Sequence, residues 1–161
     1  MSLIGEALEE LFQRENWKIQ KRNDRTYTFG FRGENNRYDF WAFINETGTY
    51  LSIYAVLPLT APEKRLGEIA EYLHRANYDM MVGNFELDFR DGEIRFKVTS
   101  DYLDIKPDLD ALDRTIDCCL VMADRYITGI GLILFGDQSP QQAISFVEGG
   151  GNREERSTIV Q

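Results

Sequence analysis

A chain of 161 residues with 43% hydrophobic content can bury one sizeable core and is too short for two full domains. Its 27 acidic residues against 18 basic ones give a formal charge of −9, a field that repels phosphate backbones and anionic bilayers and so excludes nucleic acid and membrane as expected partners. The opening MSLIGEALEE carries Glu6, Glu9 and Glu10 where a secretory signal would be basic, and no stretch reaches the roughly 20 apolar residues of a membrane span, so a cytoplasmic protein is expected.

Helix one is predicted from Ser2 to Arg14, because Leu3, Ala7, Leu8, Leu11 and Phe12 recur at spacings of three and four. Trp17 should close that edge of the core. Three strands follow, at Thr26 to Arg32, Tyr38 to Asn45 and Thr49 to Val56, and the turn formers Gly33-Glu34-Asn35-Asn36 and Glu46-Thr47-Gly48 join them into an antiparallel meander. Thr60-Ala61-Pro62-Glu63 reads as a capping box opening helix two, with Leu66, Ile69, Ala70 and Leu73 facing the sheet. That helix is expected to end near Asn77, a residue that takes the left-handed conformation at low cost.

Further on, Phe85, Leu87 and Phe89 alternate with Asn84, Glu86, Asp88 and Arg90, and Ile94, Phe96 and Val98 alternate with Glu93, Arg95 and Lys97. This period of two marks a pair of half-buried strands, and Asp91-Gly92 between them accepts positive φ at both central positions of a hairpin turn. Acidic residues on the first strand can pair with basic ones on the second. After a turn at Lys106-Pro107, Leu109, Leu112, Ile116, Leu120, Ala123, Ile127, Ile130 and Leu134 hold the spacing of one long helix, with Asp108, Asp110 and Asp113 at its positive end. Gly129 and Gly131 weaken its last turns, which places its end between Thr128 and Phe135. Residues 1–136 thus form one α+β domain with five antiparallel strands in the order α-β-β-β-α-β-β-α. Residues 137–161 are expected to be a flexible C-terminal tail with a short helical turn around Gln141 to Phe146.

No motif assembles a catalytic or metal centre. Cys118 and Cys119 are the only cysteines, and neighbours on a helix point about 100° apart, which favours packing over a bridge. His74, the only histidine, sits beside Arg75 on a charged helix face, and a zinc site joining it to the cysteines lacks a fourth ligand. Gly129-Ile130-Gly131 ends a helix where a nucleotide-binding loop must open one. Asn45-Glu46-Thr47 fits a turn better than a glycosylation acceptor, and Asp88, Asp91 and Glu93 lie in a hairpin without the glutamate that completes a calcium loop. Glu86 and Asp88 share a strand face about 7 Å apart, a spacing open to acid and base roles, yet solvated strand carboxylates are the commoner case. No catalytic residue, cofactor or metal is expected.

The second strand, Tyr38-Asp39-Phe40-Trp41-Ala42-Phe43-Ile44, is apolar on both faces, although helices should cover one side of a small antiparallel sheet. With Phe40, Ala42 and Ile44 toward the helices, Trp41 and Phe43 lie on the other side, together with Tyr50 and Tyr54 of the third strand. These four are the candidate protein-binding residues. The competing reading is that the last helix or the tail covers them.

The order of elements, the size and the acidity resemble the type III secretion chaperone fold. Pro58 and Pro62, Asn77-Tyr78, Gly83, Phe85-Glu86-Leu87-Asp88 and Asp91-Gly92-Glu93-Ile94-Arg95-Phe96 resemble the YbjN-type domain family, bacterial sensory transduction regulators, over roughly Leu3 to Leu134. The resemblance implies a noncatalytic domain that handles other proteins as chaperone or regulator, often as a homodimer, with no catalytic residues to carry over. Under it Asn77, Gly83 and Gly92 are structural positions serving a helix end, a close backbone approach and a hairpin turn. The expected function is a protein-binding module. The alternatives are a small-molecule sensor with a pocket between sheet and helices, and an enzyme using Glu86 or Asp88.

Overall fold

The computed structural model describes residues 1–149. Its first helix, α1 (Leu3–Arg14), starts where the Ser2 hydroxyl accepts the Gly5 N–H, and it buries Ile4, Ala7, Leu8, Leu11 and Phe12 while Leu3 stays exposed. A six-stranded antiparallel sheet follows: β1 (Gln20–Asn23), β2 (Thr26–Arg32), β3 (Arg37–Ile44), β4 (Tyr50–Thr60), β5 (Asn84–Leu87) and β6 (Glu93–Asp101), in the spatial order β1-β2-β3-β4-β6-β5. Helix α2 (Leu66–Asn77) lies between β4 and β5, and α3 (Leu109–Gly136) and α4 (Pro140–Gly149) close the chain.

Strict alternation along the strands sorts the residues into two faces. Tyr38, Phe40, Ala42 and Ile44 of β3, Leu51, Ile53, Ala55 and Leu57 of β4, and Ile94, Phe96 and Val98 of β6 are buried. They pack beneath α1, α2 and α3, so the helices share one side of the sheet. By length and composition α3 could cross a bilayer, but its apolar stripe of Leu112, Ile116, Ala123, Ile127 and Ile130 is buried in the core. Trp17 closes the edge as its spacing suggests, with its ring 4.8 Å from Phe31.

Five sequence-based expectations are corrected. The sheet has six strands and not five, because Gln20–Asn23 forms an edge strand on β2; all four of its residues are exposed, so no hydrophobic alternation announced it. The capping box at Thr60 does not form. Thr60 still belongs to β4, opposite Glu93, and Pro62 leads into a short 3₁₀ turn before α2. The β5–β6 connection is longer than a two-residue turn: Asp88 N–H donates to the Glu93 carbonyl, and only Gly92 has positive φ. A Cβ at Gly92 would lie 2.1 Å from the Ala61 carbonyl oxygen. At the end of α2 the left-handed residue is Asp79, and Asn77 instead uses its side-chain amide, donating to the Phe85 carbonyl and accepting the Phe85 N–H at 2.7 Å. That amide covers the outer edge of β5 as a neighbouring strand would.

The fifth correction concerns the C-terminus. The helical turn expected around Gln141 to Phe146 is there, but it is the longer helix α4 and is packed rather than free, burying Pro140, Ala143 and Ile144 against α2 and α3. Its start is a capping box: Gln142 N–H donates to the Ser139 hydroxyl and Ser139 N–H to the Gln142 side-chain oxygen, with Pro140 in the first turn. The rest of the expected tail, from residue 150, lies outside the described residues.

Candidate protein-binding face

The sheet surface opposite the helices is an ordered array. Register places Thr28, Trp41, Tyr54 and Lys97 side by side across β2, β3, β4 and β6, with Thr26, Phe43, Ser52 and Thr99 in the next row. Trp41, Phe43 and Tyr50 are 42%, 41% and 45% exposed, which is high for aromatic side chains in a sheet. Tyr54 is half-buried, because the Arg95 guanidinium lies 4.3 Å over its ring. A shallow depression of about 340 Å³ lies among Trp41, Phe43, Tyr54 and Arg95. The four candidate residues therefore share one face, and α3 lies on the other.

On the β6 side of this face the charges neutralise one another. Glu86 accepts from Arg95 at 2.7 Å and from Lys97 at 2.5 Å, the cross-strand pairing anticipated for the hairpin. Burial raises the Glu86 pKa, but the hydrogen bonds from Lys97 and Arg95 outweigh it and leave the carboxyl below its ordinary value. Asp88 is held by Arg90, whose side chain and backbone N–H lower its pKa to about 2. Both carboxylates are thus fixed as ionised ion-pair partners, the reverse of the upward shift that readies a general acid. Among the described residues no three His, Cys, Asp or Glu side chains gather where they could hold a metal ion.

The sequence matches the family described as "Putative bacterial sensory transduction regulator", YbjN, over residues 5–132. The chain belongs to the YbjN family. No curated protein matches it in sequence. Among solved structures, a chain of the HopA1-SchA chaperone-effector complex is similar, with a TM-score of 0.53 at 13% identity, over 75% of this chain and 90% of that one. The two chains share an α+β fold. The YbjN match stops within α3, so α4 lies beyond it.

Within the YbjN domain the structure also shows a polar centre that pattern reading missed. Asp124 on α3, 7% exposed, accepts backbone N–H groups from Glu34, Asn35 and Asn36 and the Tyr38 hydroxyl at 2.7 Å. Gly33 permits this approach, since a Cβ there would sit 2.5 Å from the carboxylate. The sequence signal is one aspartate in the apolar stretch from Cys118 to Phe135, opposite a loop of Gly and Asn. Desolvation raises the Asp124 pKa, yet the Tyr38 hydroxyl and the loop N–H groups outweigh it and the net shift is downward. This is a lock on the β2–β3 loop. Cys119 is buried and Cys118 half-buried, and burial pushes both thiols up, away from thiolate chemistry. His74 is exposed on α2, and the Asn45 amide ties the β3–β4 turn to Thr47, Thr49 and Tyr50.

Proposed function

We propose that this YbjN-family chain is a noncatalytic protein-binding module, chaperone-like or regulatory, acting in the bacterial cytoplasm in signalling or protein handling. It receives its partner on the helix-free sheet face through Trp41, Phe43, Tyr50 and Tyr54. The observation that carries this reading is the exposure of three large aromatic side chains, together on a face with no helix above it among the described residues. Tyr and Trp in such a setting supply large contact area at low entropic cost and dominate binding energies where they are buried by a partner. The fold supports the reading too, since the similar chain comes from a complex of a chaperone with its effector. The small-molecule alternative needs space between sheet and helices, and that layer is filled by Tyr27, Tyr38, Phe40, Phe96 and Tyr126 with their aliphatic neighbours.

The test is capture of partners from native lysate with the tagged chain and with a Trp41→Ser, Phe43→Ser variant shown by circular dichroism to be folded. Both side chains point away from the core, so the variant is expected to keep its fold and to lose the partner held by the wild type. A folded variant that retains every partner would remove this face from the proposal.

A further inference from the structure

The aromatic face is flanked by an unexpected charge arrangement. Register sets Arg32 directly opposite Arg37 across β2 and β3, a like-charge pair that costs stability unless an anion relieves it. On the same face, Arg22 donates only to the Thr28 hydroxyl, at 3.2 Å, and Lys18 stands nearby. In a chain with 27 acidic residues, several cations such as Lys64 and Arg114 take no part in the ion pairs of the described residues, and four of them, Lys18, Arg22, Arg32 and Arg37, gather at this one corner. Arg95 and Lys97, on the far side of Trp41, are by contrast committed to Glu86. A depression of about 470 Å³ lies between Lys18, Arg22, Thr28, Arg37, Asp39 and Trp41. Its one carboxylate, Asp39, is exposed and forms no ion pair with these cations.

We infer that the partner presents an acidic segment to this corner, with carboxylates reaching Arg22, Arg32 and Arg37 and an adjacent apolar side chain resting on Trp41 and Phe43. The inference rests on the protein-binding reading above and adds the chemistry of the partner. Guanidinium groups favour carboxylates in forked, two-bond geometry, and the stranded Arg32–Arg37 pair gains a shared counter-charge only when such a group arrives. A nucleic acid strand fits less well. Its continuous row of phosphates would meet Asp39, Glu93 and Asp101 on the same face and would be repelled along its whole length by a chain carrying −9, whereas a few spaced carboxylates can pass those acidic side chains and meet the same field with less charge.

Fluorescence anisotropy tests this with a fluorescein-labelled peptide of glutamates and aspartates interspersed with leucine and phenylalanine. A version with lysine for every acid and a single-stranded oligothymidylate serve as competing probes. The acidic peptide should bind the full chain, weaken as salt is raised, and lose about tenfold in affinity to an Arg22→Glu, Arg37→Glu variant. Because Arg37→Glu places opposite charges across from Arg32, that variant should unfold at the same temperature as the wild type or higher, which separates lost binding from lost folding. The inference is overturned if the acidic peptide does not bind, if the charge-reversed variant binds it equally, or if the lysine peptide or the oligonucleotide binds better. Lysate capture with both variants keeps the two readings apart. Partners lost by Trp41→Ser, Phe43→Ser but kept by the arginine variant would end the acidic-partner inference alone, and partners kept by both would end the sheet-face reading as well.

Discussion

At the scale of single residues, Asp124 is the position where one atom group holds the most structure. Its two oxygens satisfy three half-buried loop N–H groups and the buried Tyr38 hydroxyl, so replacing the carboxylate leaves that hydroxyl and the loop donors short of acceptors. Asp124→Asn keeps the volume but turns an amide toward those donors, and a loss of about 2–4 kcal/mol in urea unfolding is expected. The pH dependence has a fixed sign. The folded pKa lies below its ordinary value, so the unfolded chain binds the proton more readily and stability rises with pH through this window. The contribution is complete above the unfolded value near 3.9 and is lost as pH falls through the folded one. The stability gap between wild type and Asp124→Asn should therefore be constant at neutral pH and shrink below about pH 4. A gap that stays constant into acid would mean that the carboxylate charge contributes nothing to the lock.

At the scale of elements, the two glycines near the end of α3 look alike in sequence and differ in the fold. A Cβ on Gly129 would lie 2.1 Å from the Tyr72 hydroxyl oxygen, and that hydroxyl donates to the Tyr126 carbonyl at 2.8 Å, so the missing side chain is what lets α2 approach α3. A Cβ on Gly131 would meet nothing within 4 Å. Gly131→Ala should raise stability by about 0.5–1 kcal/mol through helix propensity, while Gly129→Ala should lower it by about 1–3 kcal/mol because overpacking exceeds the same propensity gain. Thermal melts of the two variants should move in opposite directions. The same contrast shows what the sequence could reveal. Strands β2 to β6 and helices α1, α2 and α3 are legible because alternation and helical spacing record which side is buried, and Trp41 and Phe43 stand out because they break the one-sided rule. Strand β1 is not, since QKRN buries nothing and exists through its ladder to β2. The extension of β4 to Thr60 hid behind a plausible cap, and the Asp124 lock joins residues about ninety positions apart, which no local pattern encodes.

At the scale of the whole molecule, the helices lie on one side of the sheet and the candidate binding surface on the other, so stability and binding can be separated by cutting on the helical side. Helix α4 lies outside the region shared with the family, yet it is anchored: Ala143 and Ile144 are buried, and the Tyr126 hydroxyl bonds Glu148 at 2.8 Å. Ending the chain at Gly136 removes that apolar contact and uncovers parts of α2 and α3, with an expected loss of about 2–4 kcal/mol from the area exposed. For a domain of this size that corresponds to a fall in melting temperature of roughly 4–16 °C. None of the residues proposed to bind a partner touches α4. Below its melting transition the shortened chain should thus capture the same proteins, and bind the acidic peptide, as the full chain does. Loss of capture by a folded shortened chain would place part of the binding surface on the deleted residues 137–161 or on the groove of His74, Tyr78 and Ile144 between α2 and α4, and a chain ending at Gly149 would tell the two apart.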